Sequence, residues 1–228
     1  MKQIANLTTF FIEAENPEQV ILLLHGYGAN GQDLMPIANM LELHKKTTFI
    51  FPQGPVVIPF APGYEGYAWF PIDQLALEQA MATGQFRDYR NIRPNGLDEA
   101  QSKLSNFIHE IQRMYPNTEI ILGGFSQGAM MSADYIFHGK NLIRKLLFLS
   151  GTLLSKDTWK KGMQEFTGQL SVFQSHGKFD PLLSYEYALE FKQMLEEAKI
   201  PVQFCSFPGQ HEIPLEVIQQ LSDFLNNE

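Results

Sequence analysis

Short apolar or β-branched runs alternate along this chain with longer segments in which apolar residues recur at three- and four-residue steps. The short runs predict strands at residues 9–13, 20–25, 48–51, 119–123, 145–150, 170–176 and 202–207. Most of them are apolar almost throughout, as strands buried on both faces must be. The clearest helical period covers residues 96–115, where Leu97, Ala100, Leu104, Phe107, Ile108, Ile111 and Met114 form one stripe between Pro94 and Pro116. Residues 34–43, 128–137, 185–199 and 215–225 follow the same rule less regularly. Strands alternating with helices in this way predict an α/β architecture, a mostly parallel central sheet of about seven strands with helices on both faces.

Residues 52–93 break the alternation. They contain Pro52, Pro55, Pro59, Pro62 and Pro71, with Gly54, Gly63 and Gly66, and the aromatics Phe60, Tyr64, Tyr67, Trp69 and Phe70. Proline at that density opposes a regular helix or a central strand. The stretch is expected to be a loop excursion whose aromatics form a pocket wall or lid; the plainer reading is a surface excursion without a role. No repeat, low-complexity tract, charge block or Gly/Ser/Pro linker divides the chain, so residues 1–228 are expected to form one domain.

Composition narrows the function. Seventeen Lys and Arg against 25 Asp and Glu give a net charge of −8, the wrong sign for a protein that lives on phosphate contacts, and no nucleic-acid partner is expected. The single cysteine, Cys205, allows neither an internal disulfide nor a cysteine-based zinc site, which fits a reducing, cytoplasmic location. The longest apolar run, Val20 to Leu24, is five residues, far below the roughly 20 that span a bilayer. Residues 1–15 lack the charged, apolar and small-residue succession of a secretory signal.

The candidate chemistry begins at Gly124-Phe125-Ser126-Gln127-Gly128, a G-x-S-x-G sequence between a predicted strand and a predicted helix. In that context a sharp strand–turn–helix elbow presents a serine hydroxyl off the end of the sheet, and the backbone N–H of Gln127 points to where an oxyanion would form. The alternative is a glycine-rich turn whose serine caps the helix. A serine nucleophile needs a base oriented by an acid, and in this order of elements both should follow later strands, acid first. Asp180 follows the strand at 170–176 and His211 follows the strand at 202–207, so Ser126, Asp180 and His211 stand in hydrolase order. His176 and Asp157 are competitors, but His176 lies only four residues before Asp180 and is assigned a supporting role. His44, His109 and His138 fall on or beside helices, where solvent-facing histidines are ordinary. His25 ends a strand and leads into Gly26-Tyr27-Gly28, glycines that let a backbone N–H approach the reacting carbonyl; Tyr27 N–H is the second expected oxyanion donor.

The same loop reads Gly26-Tyr27-Gly28-Ala29-Asn30-Gly31, a literal G-x-G-x-x-G. A dinucleotide site would need an acidic residue closing the next strand, and Thr48-Phe49-Ile50-Phe51-Pro52 supplies none. P-loop, H-E-x-x-H and EF-hand patterns are absent as well, so no cofactor and no metal are expected.

Taken together, Leu24-His25-Gly26-Tyr27-Gly28, Phe51-Pro52-Gln53-Gly54-Pro55, Ala68-Trp69-Phe70, the residues from Gly123 to Ala129, Ser150-Gly151, the residues from Ser175 to Asp180 and His211-Glu212-Ile213 resemble the phospholipase/carboxylesterase family of α/β-hydrolases, which includes acyl-protein thioesterases and small bacterial carboxylesterases. The resemblance spans almost the whole chain. It implies an α/β-hydrolase fold and a serine esterase that cleaves short- to medium-chain acyl esters or thioesters, often as a homodimer, with a small-molecule or lipid acyl ester as substrate. By position it implies Ser126 as nucleophile, Asp180 as acid, His211 as base, and Tyr27 and Gln127 as oxyanion donors. Trp69 and Phe70, with Leu182 and Leu183 behind Asp180, are the expected acyl-site residues. Pro71 stands where the family usually has an acid, residues 72–93 run long, Tyr27 replaces a common aliphatic and Gln210 directly precedes the histidine. These departures surround the expected acyl pocket. The rival readings are a lysophospholipase or depalmitoylase with a longer acyl channel, and a non-catalytic hydrolase-fold binding protein.

Overall fold

The structure, a computed structural model, describes residues 1–227 apart from 62, 84, 140–142, 167 and 168, and of residues 60, 61, 64, 74, 77, 78, 80 and 81 the backbone alone. Its elements in chain order are β1 (Lys2–Ile4), β2 (Leu7–Ile12), β3 (Gln19–Leu24), α1 (Met35–Met40), β4 (Thr47–Pro52), β5 (Val56–Ala61), β6 (Tyr64–Ala68), α2 (Gln74–Thr83), α3 (Leu97–Met114), β7 (Glu119–Phe125), α4 (Gln127–His138), β8 (Lys145–Leu149), α5 (Lys156–Glu165), β9 (Ser171–Gly177), α6 (Tyr185–Glu197), β10 (Val202–Phe207) and α7 (Leu215–Asn226).

Eight strands form one sheet in the order β1-β2-β4-β3-β7-β8-β9-β10. β1 and β2 pair antiparallel, as do β2 and β4; every other neighbouring pair is parallel. All seven expected strands are present. The eighth, β1, is only three residues long and folds back on β2 through Ala5 and Asn6, both in left-handed conformation, so it carries no readable alternation.

Side chains alternate strictly across the sheet. Val20, Leu22 and Leu24 of β3 join one core with α3, α4, α5 and α6, while Ile21 and Leu23 join the other with α1 and α7. Burial on both faces is why these strands read as unbroken apolar runs. The helix α5 escaped notice because only Trp159 and Met163, four residues apart, are buried in a segment that is otherwise polar.

The excursion is more ordered than its prolines predicted. β5 and β6 form a separate two-stranded ribbon with an irregularity between Pro59 and Ala61, where a missing donor disrupts no central ladder. The prolines end at Pro71, and the Ala-, Leu- and Gln-rich residues beyond it make α2, opened by the Asp73 carboxylate accepting Ala76 N–H at 3.1 Å. The side chains of Phe60 and Tyr64 and the whole of Pro62 lie outside the described residues. Beyond α2 the chain is tied down: Ser155 N–H and Lys156 N–H donate to Tyr89 and Arg90 carbonyls, and the Ser155 hydroxyl to Ile92. Because β3, β7, β9 and β10 run parallel, the segments that follow them all emerge at one edge of the sheet, the edge where α/β proteins place their sites.

Candidate active site

β7 passes into α4 with only Ser126 between them, at φ +54° and ψ −117°, a left-sided backbone conformation that a non-glycine residue holds only under constraint. The constraint comes from Ser126 N–H donating to Leu149 O on β8 at 2.9 Å and from Met130 N–H closing the first helical turn on Ser126 O at 3.2 Å. Gly128 is required by close approach: a Cβ there would lie 2.0 Å from Leu24 O. Although Ser126 stands at the helix N-cap, its side chain makes no capping hydrogen bond, which removes the support for a purely capping role.

Asp180 and His211 come from neighbouring loops at the ends of β9 and β10. The loops are laced together by Lys178 N–H to Phe207 O and Phe179 N–H to Gly209 O at 2.9 and 3.0 Å. His211 Nδ1 lies 2.7 Å from Asp180 Oδ2. The other carboxylate oxygen accepts Leu182 N–H at 2.8 Å and Leu183 N–H at 3.0 Å. Burial works to raise the Asp180 pKa, but these hydrogen bonds prevail and hold it below the ordinary carboxylate value. His211 keeps some solvent exposure, and its ring packs against Phe125, the residue before Ser126, with centroids 4.7 Å apart. The structure thus brings His211 beside the elbow from a position far away in sequence.

His176 is fully buried behind the acid. Its Nε2 lies 3.0 Å from Leu183 O and 3.5 Å from Asp180 Oδ2, and burial lowers its pKa. It buttresses the Asp180 turn through the Leu183 carbonyl.

The two expected oxyanion donors flank Ser126. Gly26 packs against the elbow so closely that a methyl group there would touch Ser126 Cβ at 3.4 Å, which brings the Gly26–Tyr27 backbone next to the serine. Gln127 is the first residue of α4, and its N–H has no carbonyl partner within the helix. The Gln127 side chain is completely buried; its Oε1 accepts Trp69 N–H at 2.9 Å and its Nε2 donates to Phe70 O at 2.7 Å. The Trp69 indole N–H donates to His25 O at 3.0 Å. The hairpin joins the same assembly, because Gly28 N–H donates to Tyr67 O and Tyr67 N–H to Ala29 O at 2.9 and 2.7 Å.

Of the residues expected to contact an acyl chain, Trp69 and Phe70 are each 1% exposed and sit inside the core. What they present to the elbow is backbone and indole hydrogen bonding, and their rings join the core cluster that also holds Leu24 and Ala129. Leu183 is buried and Leu182 half-buried beside Asp180. Sequence reasoning missed the buried amide of Gln127 and the ring of Phe125, since neither residue type announces a hydrogen-bonding or stacking partner in advance. Among the described residues, no group of His, Cys, Asp and Glu could hold a metal ion, and no helix is long and apolar enough to cross a membrane.

A mostly parallel sheet sandwiched by helices, with a serine elbow after a central strand and an Asp–His pair from later strand ends, is the architecture of the α/β-hydrolases. The Phospholipase/Carboxylesterase family matches residues 8–228, and the chain belongs to that family of ester hydrolases. Among curated relatives, acyl-protein thioesterase 1 of Kluyveromyces lactis is 28% identical over 94% of this chain and 93% of its own length. Acyl-protein thioesterase 1 of Neurospora crassa is 25% identical over 90% and 84%. Among solved structures, esterase PE8 superposes with a TM-score of 0.79 at 24% identity over 96% of this chain and 97% of that one. The Bacillus cereus carboxylesterase does so with a TM-score of 0.69 at 20% identity over 96% and 93%.

Proposed function

We propose that the protein is a serine carboxylesterase that cleaves short- to medium-chain acyl esters or thioesters by double displacement. Ser126 Oγ attacks the carbonyl carbon while His211 takes its proton, and the displaced π electrons settle on the carbonyl oxygen, which receives Tyr27 and Gln127 N–H. Collapse of that intermediate expels the alcohol or thiol, which takes the proton from His211 and leaves an acyl-serine. Water repeats the sequence and frees the acid. Asp180 holds Nδ1–H of His211, so that Nε2 carries the basic lone pair, and stabilises the imidazolium. The observation that carries this reading is the 2.7 Å contact between His211 Nδ1 and Asp180 Oδ2 at the elbow's edge of the sheet.

The acyl chain would meet the half-buried Leu182 and the hairpin side of the site, with Trp69 and Phe70 behind that wall and the 52–93 excursion as its outer rim. The curated relatives named acyl-protein thioesterase favour a second reading, a hydrolase of long acyl chains on lipids or proteins. Cys205, buried and unpaired, supports a reducing cytoplasmic setting, and a second copy of the chain is the expected partner. A fluorophosphonate followed by a p-nitrophenyl ester series from acetate to palmitate tests the proposal. Labelling at Ser126 with a short-chain optimum supports the carboxylesterase, and a long-chain optimum supports the second reading. Turnover surviving in Ser126→Ala, or absence of labelling, overturns both.

A further inference from the structure

His25 is the last residue before the candidate oxyanion loop, and the residue is 1% exposed. Its two nitrogens are assigned by their neighbours. Gly54 N–H points at Nε2 from 2.9 Å, and a backbone amide can only donate, so Nε2 carries the lone pair and Nδ1 carries the proton. That Nδ1–H lies 2.7 Å from Gly26 O. Burial lowers the pKa of His25 to about 4, which keeps the ring neutral and this tautomer in place at neutral pH.

The Gly26 carbonyl and the Tyr27 N–H belong to one planar peptide unit and point in opposite directions. A hydrogen bond that fixes the carbonyl end therefore fixes the aim of the N–H end, and by polarising the amide it makes that N–H a stronger donor. Ala29 N–H reaches the same carbonyl at 3.3 Å, a longer and weaker support. We propose that His25 is a positioning residue for the reaction: its Nδ1–H aims and polarises the Gly26–Tyr27 peptide so that Tyr27 N–H meets the oxyanion. Gly54 secures the tautomer from the other side. Gly54 is held in turn against the Ala68–Trp69 backbone, where any Cβ would come within 2.5 Å of Ala68 O.

The inference rests on the serine-esterase reading, and its test separates the two. Asparagine places its amide nitrogen where Nδ1 lies and can restore the bond to Gly26, whereas glutamine reaches the Nε2 position and restores only the contact with Gly54. For wild type, His25→Asn and His25→Gln, we would measure kcat and KM on one p-nitrophenyl ester, Tm, and Ki for a trifluoromethyl ketone. Ser126 adds to that ketone to form a hemiketal oxyanion, so its Ki reads the oxyanion site directly. Losing one oxyanion donor costs about 100- to 1,000-fold, so a misaimed one should cost about 10- to 100-fold. We expect His25→Gln to lose that factor in kcat and in ketone affinity with KM nearly unchanged. His25→Asn should stay within about fivefold of wild type although its Tm falls by a similar amount, because each variant loses one buried hydrogen bond. Equal impairment of the two variants, or a change confined to KM, overturns the role of His25 while leaving Ser126 chemistry intact. If Ser126→Ala turns over the ester as wild type does, the esterase reading itself falls.

Discussion

The buried side-chain amide of Gln127 accepts Trp69 N–H and donates to Phe70 O, joining the first turn of α4 to the chain that leaves β6. Through Trp69, whose indole N–H donates to His25 O, the same bonds reach the loop after β3. The backbone segments bearing both candidate oxyanion donors are therefore built into one hydrogen-bonded unit, so their separation is set by the core rather than by loop flexibility.

Gln127→Ala keeps the backbone donor but strands Trp69 N–H and Phe70 O in a dry interior. Leaving such groups unpaired costs about 1 to 3 kcal/mol each, so a stability loss of at least about 2 kcal/mol is expected in urea unfolding. Activity at low denaturant should fall about tenfold as the donors lose their shared frame. Gln127→Glu keeps the acceptor for Trp69 but turns a second oxygen on Phe70 O, and it should be the less stable of the two variants.

Asp180→Asn, with its one oxygen kept on Leu182 and Leu183 N–H, presents an amide N–H to His211 Nδ1 in place of the carboxylate oxygen. With the tautomer no longer enforced, kcat should drop by on the order of 1,000- to 10,000-fold with little change in KM. Single-turnover kinetics on a p-nitrophenyl ester would check this, and a loss below tenfold would contradict the assignment of Asp180.

Acid should destabilise the fold before the carboxylates titrate. His25 is held neutral by burial with a pKa of about 4 against an ordinary 6.5, so between those values the unfolded chain binds the extra proton. Stability tied to this group is complete above pH 6.5 and is lost as pH falls toward about 4, a total of about 3 kcal/mol. Buried His176 acts in the same direction. Urea unfolding across this range should show the slope, and His25→Asn should flatten part of it.

Arg93, at the end of the excursion, donates to the fully buried Asp134 of α4 at 3.2 Å, where Trp159 Nε1 also donates at 3.0 Å. Arg93→Ala leaves a buried carboxylate with one partner and should cost about 3 kcal/mol. Adding Asp134→Asn should recover part of that loss, because the stranded charge is gone. A double-mutant cycle in urea measures the coupling.

Much of the site was legible because its parts end strands. Ser126, Asp180 and His211 each follow a strand, and in a parallel sheet such positions gather at one edge whatever lies between them. The excursion was less legible: its prolines obscured β5 and β6, and α2 lies in the proline-free stretch beyond Pro71. The Ala68-Trp69-Phe70 motif marks this stretch as part of the candidate site, but aromatic character cannot tell an inward ring from an outward one, and both rings are buried.

The sequence by itself determined the alternation of buried strands and helices, the chain order of the candidate triad and the glycines at the elbow, because periodicity and steric need are local properties. Only the tertiary structure decided that His211 rests on Phe125, that His25 grips the Gly26 carbonyl and that Gln127 clasps the Trp69 backbone. Two of those contacts join residues 86 and 58 positions apart, and the third depends on which face of a loop turns inward. They exist only once the two faces of the sheet are closed and water is excluded from the polar groups between them.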